Sequence, residues 1–185
     1  MIAAILPYKK KLINYYIIFY LNNIIKMALK RLQNEYKNIL KDPYYFYNIE
    51  IDPNNFLHWN VILIGPSDSI FEGGLFKCKL IFPTDYPIKP PQFKFVSIFP
   101  HPNIYKDGKI CISILNEGID KYDYEKLSER WKPTLNVHSI LISILSLLTT
   151  PNFESPANVD ASILWQKDFD NYKTIIYKFV SNSQN

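Results

Sequence analysis

Thiol and imidazole chemistry in this chain of 185 residues rests on two cysteines and three histidines. One of each falls within "HPNIYKDGKIC", residues 101–111, where His101 and Cys111 flank Asp107-Gly108, a turn signal. Loops carried on a rigid scaffold are where reactive groups concentrate. Cys111 is therefore the candidate nucleophile. The other thiol, Cys78, alternates with Phe76, Leu80 and Phe82 on the apolar side of a strand pattern, and is expected to be core. No C-x-x-C or H-x-x-x-H spacing is present, so no metal site is expected. With five glycines, no phosphate-cradling G-x-G-x-x-G or G-x-x-x-x-G-K run exists either.

Two chemistries stay open for Cys111. A cysteine hydrolase needs an imidazole within hydrogen-bond reach of the thiol, and His101, His58 and His138 are the only candidates. His101 is held between Pro100 and Pro102, which suits a fixed structural ring. The second chemistry is acyl transfer from a thioester to an amine. A thioester is already activated, so such a site needs a thiol and an oxyanion donor more than a strong base. Asn103 supplies an amide N–H, and no base.

The elements that must position this stretch can be read from periodicity. Leu29, Leu32, Tyr36, Ile39 and Leu40 recur at helical spacing from Met27, and Pro43 ends the segment. The period then changes to two, and strands are expected at 45–51, 58–64, 75–82 and 92–97. Pro53-Asn54-Asn55, Gly65-Pro66 and the proline-rich stretch 83–91 separate them. Such short connections favour an antiparallel meander. Residues 98–135 show no clear period. Val137, Ile140, Leu141, Ile144, Leu145 and Leu148 then form a helical stripe behind Asn136, a suitable N-cap, and Pro151 stops it. Helices near 159–166 and 168–181 complete an α+β order.

The excess of 21 basic over 17 acidic residues equals the four lysines Lys9, Lys10, Lys11 and Lys26, in a stretch that holds no acid. Residues 27–185 are therefore neutral by the same count, and a nucleic-acid partner is not expected. Two cysteines and a large core point to a reducing compartment. Within the N-terminal extension, residues 1–26, the apolar run 12–25 is broken by Asn14, Asn22 and Asn23 and falls short of the roughly 20 residues a membrane span needs. It reads as a disordered or non-native start ahead of Met27, as a membrane-surface segment, or as a helix packed on the domain. Residues 27–185 read as one catalytic domain.

"HPNIYKDGKICISIL" (101–115) resembles the active-site signature of ubiquitin-conjugating enzymes. "FPTDYPIKPPQFKF" (82–95) is similar to that family's Tyr-Pro-x-x-Pro-Pro loop, "MALKRLQNEYKNIL" (27–40) to its first helix, and "RWKPTLNVHSILISILSLLTTPN" (130–152) to its Trp-x-Pro loop and central helix. The four occur in order with compatible spacing. The resemblance implies the α+β ubiquitin-conjugating fold: an N-terminal helix, a four-stranded meander, then central and C-terminal helices. It implies that Cys111 accepts ubiquitin's C-terminal glycine from an activating enzyme and passes it to a lysine of a protein substrate or of ubiquitin, with a RING-type ligase. No cofactor is bound on this reading, because ATP is consumed by the activating enzyme.

The same resemblance gives Asn103 the oxyanion or a loop-bracing role, and makes His101, Tyr105 and Ser155 supporting residues. Ser155 stands where many members carry an Asp, which leaves desolvation of the lysine as a route to its deprotonation. Ligase and activating-enzyme contacts carry over to Lys30, Arg31, Ile88, Lys132, Pro133 and Thr134. The interval from Cys111 to Trp131 is longer than in compact members. Its extra piece, 116–130, holds Glu117, Asp120, Asp123, Glu125 and Glu129 against three bases. An acidic loop at this place resembles the subclass of endoplasmic-reticulum-associated degradation, whose members act in the cytoplasm at the cytosolic face of that membrane. An inactive binding module of the same fold is a further alternative, against which Cys111 itself argues.

Overall fold

The computed structural model describes residues 2–120 and 126–184, with side chains described for Tyr16 and from Ile18 onward. Helix α1 covers Ile2–Lys41, and strands β1 (Tyr47–Ile51), β2 (His58–Ile64), β3 (Leu75–Ile81) and β4 (Gln92–Phe95) follow. A single 3-10 turn, Ser113–Leu115, precedes α2 (Val137–Thr149), α3 (Val159–Lys167) and α4 (Phe169–Ser183). The strands lie in the order β1-β2-β3-β4, and every neighbouring pair is antiparallel. The architecture is the expected α+β meander with its helices.

Period-two alternation sorts the sheet residues onto two faces. Tyr47, Ile49, Trp59, Val61, Leu63, Phe76, Cys78, Leu80, Phe93 and Phe95 are buried on one. Asn48, Glu50, Asn60, Lys77, Lys79 and Lys94 are exposed on the other. The stripe of α2 (Val137, Ile140, Leu141, Ile144, Leu145, Leu148) joins the same core, as do Ala28 and Leu32 of α1 and Tyr172, Ile176 and Val180 of α4. Asn136 caps α2, its side chain accepting from the Ser139 backbone N–H.

Several boundaries differ from the periodicity, among them the start of β1, at Tyr47 and not 45, where the Tyr47 N–H closes a turn on the Tyr44 carbonyl. Strand β4 ends at Phe95 because the Val96 and Ser97 N–H groups both donate to the Lys77 carbonyl, at 2.8 and 3.1 Å, which breaks the ladder. Helix α1 does not start at Met27, where the core-facing stripe begins. It runs unbroken from Ile2. Its turns around 16–23 touch little of the domain: Tyr16, Ile18, Phe19, Tyr20 and Leu21 are all more than half exposed. A helix without a buried face has no apolar period for the sequence to display.

Candidate active site

Between β4 and the 3-10 turn the chain is irregular, yet many of its backbone groups are matched. Ile104 and Ile110 form an antiparallel bridge, Lys94 and Lys109 another, and between them Tyr105–Gly108 makes a tight turn. Gly108 is needed there. Its φ is +88°, and a Cβ at this position would lie 2.1 Å from the Phe95 carbonyl oxygen. The Asp107 side chain accepts from the Lys109 N–H, which, ahead of its lysine neighbours, holds that carboxyl below its usual range. The Cys111 N–H donates to the Asn103 carbonyl at 2.9 Å, closing the stretch that the sequence singled out.

His101 anchors the turn from beneath. It is fully buried. Its Nδ1 accepts from the Asn103 N–H at 3.1 Å, which leaves Nε2 to donate to the Leu148 carbonyl at the end of α2, at 3.2 Å. Burial holds the imidazole down at about 4, against the raising effect of the Leu148 and Leu147 carbonyls. A ring with both nitrogens committed and no charge at neutral pH is a strut, with no nitrogen left to take a proton from Cys111. His138 Nδ1 is matched to the Tyr47 hydroxyl at 2.8 Å, and His58 Nε2 to the Asn55 amide at 3.3 Å, both on other parts of the domain. No histidine is thus arranged as the hydrolase base.

Asn103 is 2% exposed, and its side chain is paired with one residue. Nδ2 donates to the Asn152 carbonyl at 2.8 Å, and Oδ1 accepts from the Asn152 N–H at 2.9 Å. An amide nitrogen carries two protons, and the Asn152 carbonyl takes one. The Asn158 N–H, from the N-cap of α3, donates to the Pro102 carbonyl at 2.9 Å. The segment 151–158 is thereby held against the Cys111 turn, with Ser155 exposed on it. The pairing partner Asn152 was not foreseen from the sequence, because no periodicity or motif ties position 152 to position 103.

Cys111 is a half-buried thiol outside any disulfide, whereas Cys78 is 2% exposed and donates to the Phe76 carbonyl. Burial pushes the Cys78 thiol well above its ordinary range, so its nucleophilic thiolate is suppressed. Tyr105, nearly half exposed, meets Cys111 side chain to side chain. The charge of Cys111 first, then some burial, then the hydrogen bond between them raise the Tyr105 hydroxyl above its ordinary value. The structure therefore brings Cys111, Asn103, His101 and Tyr105 onto one turn.

The acidic loop begins just beyond. The Trp131 N–H donates to the Asn116 carbonyl at 2.9 Å, and Arg130 Nη2 donates to the Glu117 carbonyl at 3.0 Å, so the excursion 117–130 is closed at its base. Glu117 is exposed and Asp120 half-buried; Asp123 and Glu125 lie outside the described residues. Among the expected ligase contacts, Lys30, Lys132, Pro133, Thr134 and Ile88 are exposed, Ile88 by 67%. Arg31 is half-buried and differs from the others. Its guanidinium donates to the Pro133 carbonyl at 3.0 Å and the Leu135 carbonyl at 2.8 Å. Trp131 Nε1 donates to the Pro87 carbonyl at 2.9 Å, which brings the Ile88 and Lys132–Thr134 segments together. Among the described residues, no group of His, Cys, Asp and Glu is arranged to hold a metal ion.

Comparison with known proteins places the chain in a family. Residues 31–180 match the ubiquitin-conjugating enzyme family. The chain is 50% identical over 135 residues to "Probable ubiquitin-conjugating enzyme E2 7" of Caenorhabditis elegans, covering 72% of this chain and 82% of that protein. It is 44% identical over 158 residues to human "Ubiquitin-conjugating enzyme E2 G2", covering 84% and 96% respectively. "Ubiquitin-conjugating enzyme E2 7" of Arabidopsis thaliana is 43% identical over 155 residues, with 83% and 93% covered. A family match over residues 31–180 and relatives 43–50% identical across most of the chain make this protein a member of the ubiquitin-conjugating enzyme family.

Proposed function

We propose that the protein carries ubiquitin as a thioester on Cys111 Sγ and delivers it to lysine amines with a RING-type ligase. In charging, the Cys111 thiolate attacks the C-terminal carbonyl carbon of ubiquitin held as a thioester on the activating enzyme. The new C–Sγ bond forms, the old C–S bond breaks, and the departing thiolate takes up a proton. In discharge, a neutral lysine amine attacks the same carbon. A tetrahedral oxyanion forms, the C–Sγ bond breaks, Cys111 leaves as thiolate, and the amine proton passes to water. The second Nδ2 proton of Asn103 is the donor we assign to the oxyanion. The lysine loses its proton by desolvation against the 151–158 segment, where Ser155 supplies no carboxylate. ATP is spent upstream on this reading, and no cofactor takes part here.

The observation that carries this reading is the turn itself: a half-buried thiol, a fixed amide and a hydroxyl, with the one adjacent histidine neutral and fully bonded. Such a group suits acyl transfer from an activated ester and lacks the base an amide hydrolase requires. The purified chain, incubated with ubiquitin, its activating enzyme and ATP, should yield one thiol-sensitive adduct on a non-reducing gel. Cys111→Ala should abolish it. A folded wild-type chain that stays uncharged while a control enzyme charges would refute the reading.

We also infer a place among the enzymes of endoplasmic-reticulum-associated degradation, acting at the cytosolic face of that membrane. The length and acidity of 116–130 support this, since an acidic loop can steer a basic ubiquitin surface. The upstream part of α1 supports membrane-surface contact. Among the described residues no helix is long and apolar enough to cross a membrane. The exposed Tyr16, Ile18, Phe19, Tyr20 and Leu21, with four lysines and no acid in residues 1–26, suit an anionic lipid interface.

A further inference from the structure

Three segments that are far apart in sequence meet at one buried carboxylate. Glu35 of α1 is 7% exposed. Its Oε1 accepts from Arg31 Nε and from the Tyr86 hydroxyl, the latter at 2.7 Å. Its Oε2 accepts from the Val137 N–H, the first residue of α2, at 2.8 Å. Arg31 extends the network to the Pro133 and Leu135 carbonyls, and its guanidinium lies 5.7 Å from the centre of the Tyr86 ring. The Trp131–Pro87 hydrogen bond closes the triangle. Helix α1, the proline-rich stretch 83–91 and the segment 131–137 are each bonded to the other two.

Every partner of Glu35 is a donor, so only a group that accepts at both ends fits. The negative charge also faces the N-terminus of α2, where it is favoured, and a guanidinium, which binds carbonyls and carboxylates through a fixed fork. None of these atoms is a reacting group. What they hold in register are the exposed side chains Lys30, Ile88, Lys132, Pro133 and Thr134, one set from each of the three segments.

We propose that Glu35, with Tyr86, is a positioning residue for ligase docking: it preorganises the three-segment surface without touching the ligase. The proposal rests on the RING-ligase reading above. A preorganised surface binds tightly because little ordering remains to be done on association. Loosening it should therefore weaken capture of the ligase while leaving the Cys111 turn, held by its own hydrogen bonds, able to react.

The test uses the full chain charged with ubiquitin, quenched, and chased with free lysine, alone or with a titrated RING domain chosen from a panel for stimulating the wild type. Glu35→Gln places an NH2 against a donor and should raise the half-saturating RING concentration about tenfold, as losing one charge-assisted hydrogen bond predicts. Tyr86→Phe removes a single oxygen and should raise it about threefold. It carries the test if Glu35→Gln fails to fold. In both, discharge without ligase and the maximal rate with ligase should stay within about twofold. Unchanged half-saturation, or ligase-free discharge falling by the same factor, would overturn the proposal, the latter because it reports a folding role alone. A wild-type chain that charges normally yet answers to no RING domain would remove the ligase reading and the proposal with it, an outcome visible before any variant is made.

Discussion

Replacing Asn103 by Ala separates its two roles. The side chain makes two hydrogen bonds to the backbone of Asn152, at 2.8 and 2.9 Å, from a site that is 2% exposed. Neutral hydrogen bonds of this kind contribute about 1 kcal/mol each, and a partner left unmatched in a partly buried place adds to the loss. The expected destabilisation is about 2–3 kcal/mol. For a chain of this size that lowers the melting temperature by roughly 5–10 °C. The catalytic role predicts something larger and specific to one step. Loss of one oxyanion donor slows acyl transfer by about 10²–10³. The experiment is a single-turnover chase of pre-charged enzyme with free lysine, alongside the rate of charging, at a temperature well below the melting point of the variant. Charging should stay within about threefold, because the Cys111 N–H is held by the backbone carbonyl of residue 103, which Ala retains. Discharge should fall by the full factor. Equal losses in charging and discharge would assign Asn103 to bracing alone, and discharge within about threefold of wild type would remove the oxyanion role altogether.

Burial holds the folded-state pKa of His101 at about 4, below its ordinary value of 6.5. Its contribution to stability is therefore complete above pH 6.5 and is lost as pH falls from there toward 4. The total is about 3 kcal/mol, so urea midpoints measured between pH 7 and 4 should fall more steeply for wild type than for His101→Gln. Parallel pH profiles would contradict the buried neutral ring. Cys78→Ala should leave charging intact and lower stability by about 1 kcal/mol, as removal of one buried heavy atom does; a lost adduct in a folded Cys78→Ala chain would overturn the assignment of chemistry to Cys111. The full chain should float with vesicles containing anionic lipid and not with neutral ones, more weakly at high salt. Changing Lys9, Lys10 and Lys11 to Glu should abolish flotation, and equal binding to neutral vesicles would refute an electrostatic anchor.

Much of the site was legible in the sequence because it is local. The turn that bears Cys111 needs a glycine at 108 and an Asx residue at 107, and its ends are ten residues apart, so spacing carries its geometry. The four strands and α2 were legible for a related reason: burial on one side imprints a period of 2 or 3.6 on the chain. The same rule marks Cys78 as core. Lys30 and Arg31 look alike in the sequence, two adjacent cations on a helix, and only tertiary structure separates them. Lys30 is exposed, while Arg31 meets the carbonyls of Pro133 and Leu135, more than a hundred residues away. Glu35 did leave a trace. It falls on the stripe of Ala28, Leu32 and Ile39, where an acid is out of place unless donors surround it. Which donors surround it depended on where 86 and 137 arrive, and no pattern internal to a helix records that. Asn103 is the sharper case. Its residue type allows an oxyanion donor and a brace equally, and the choice of Asn152 as its partner came from the packing of the 151–158 segment against the turn. Local conformation and the sorting of faces follow from neighbours along the chain. The pairing of buried polar groups follows from which distant backbone groups are brought within 3 Å, and that is decided only when the core closes.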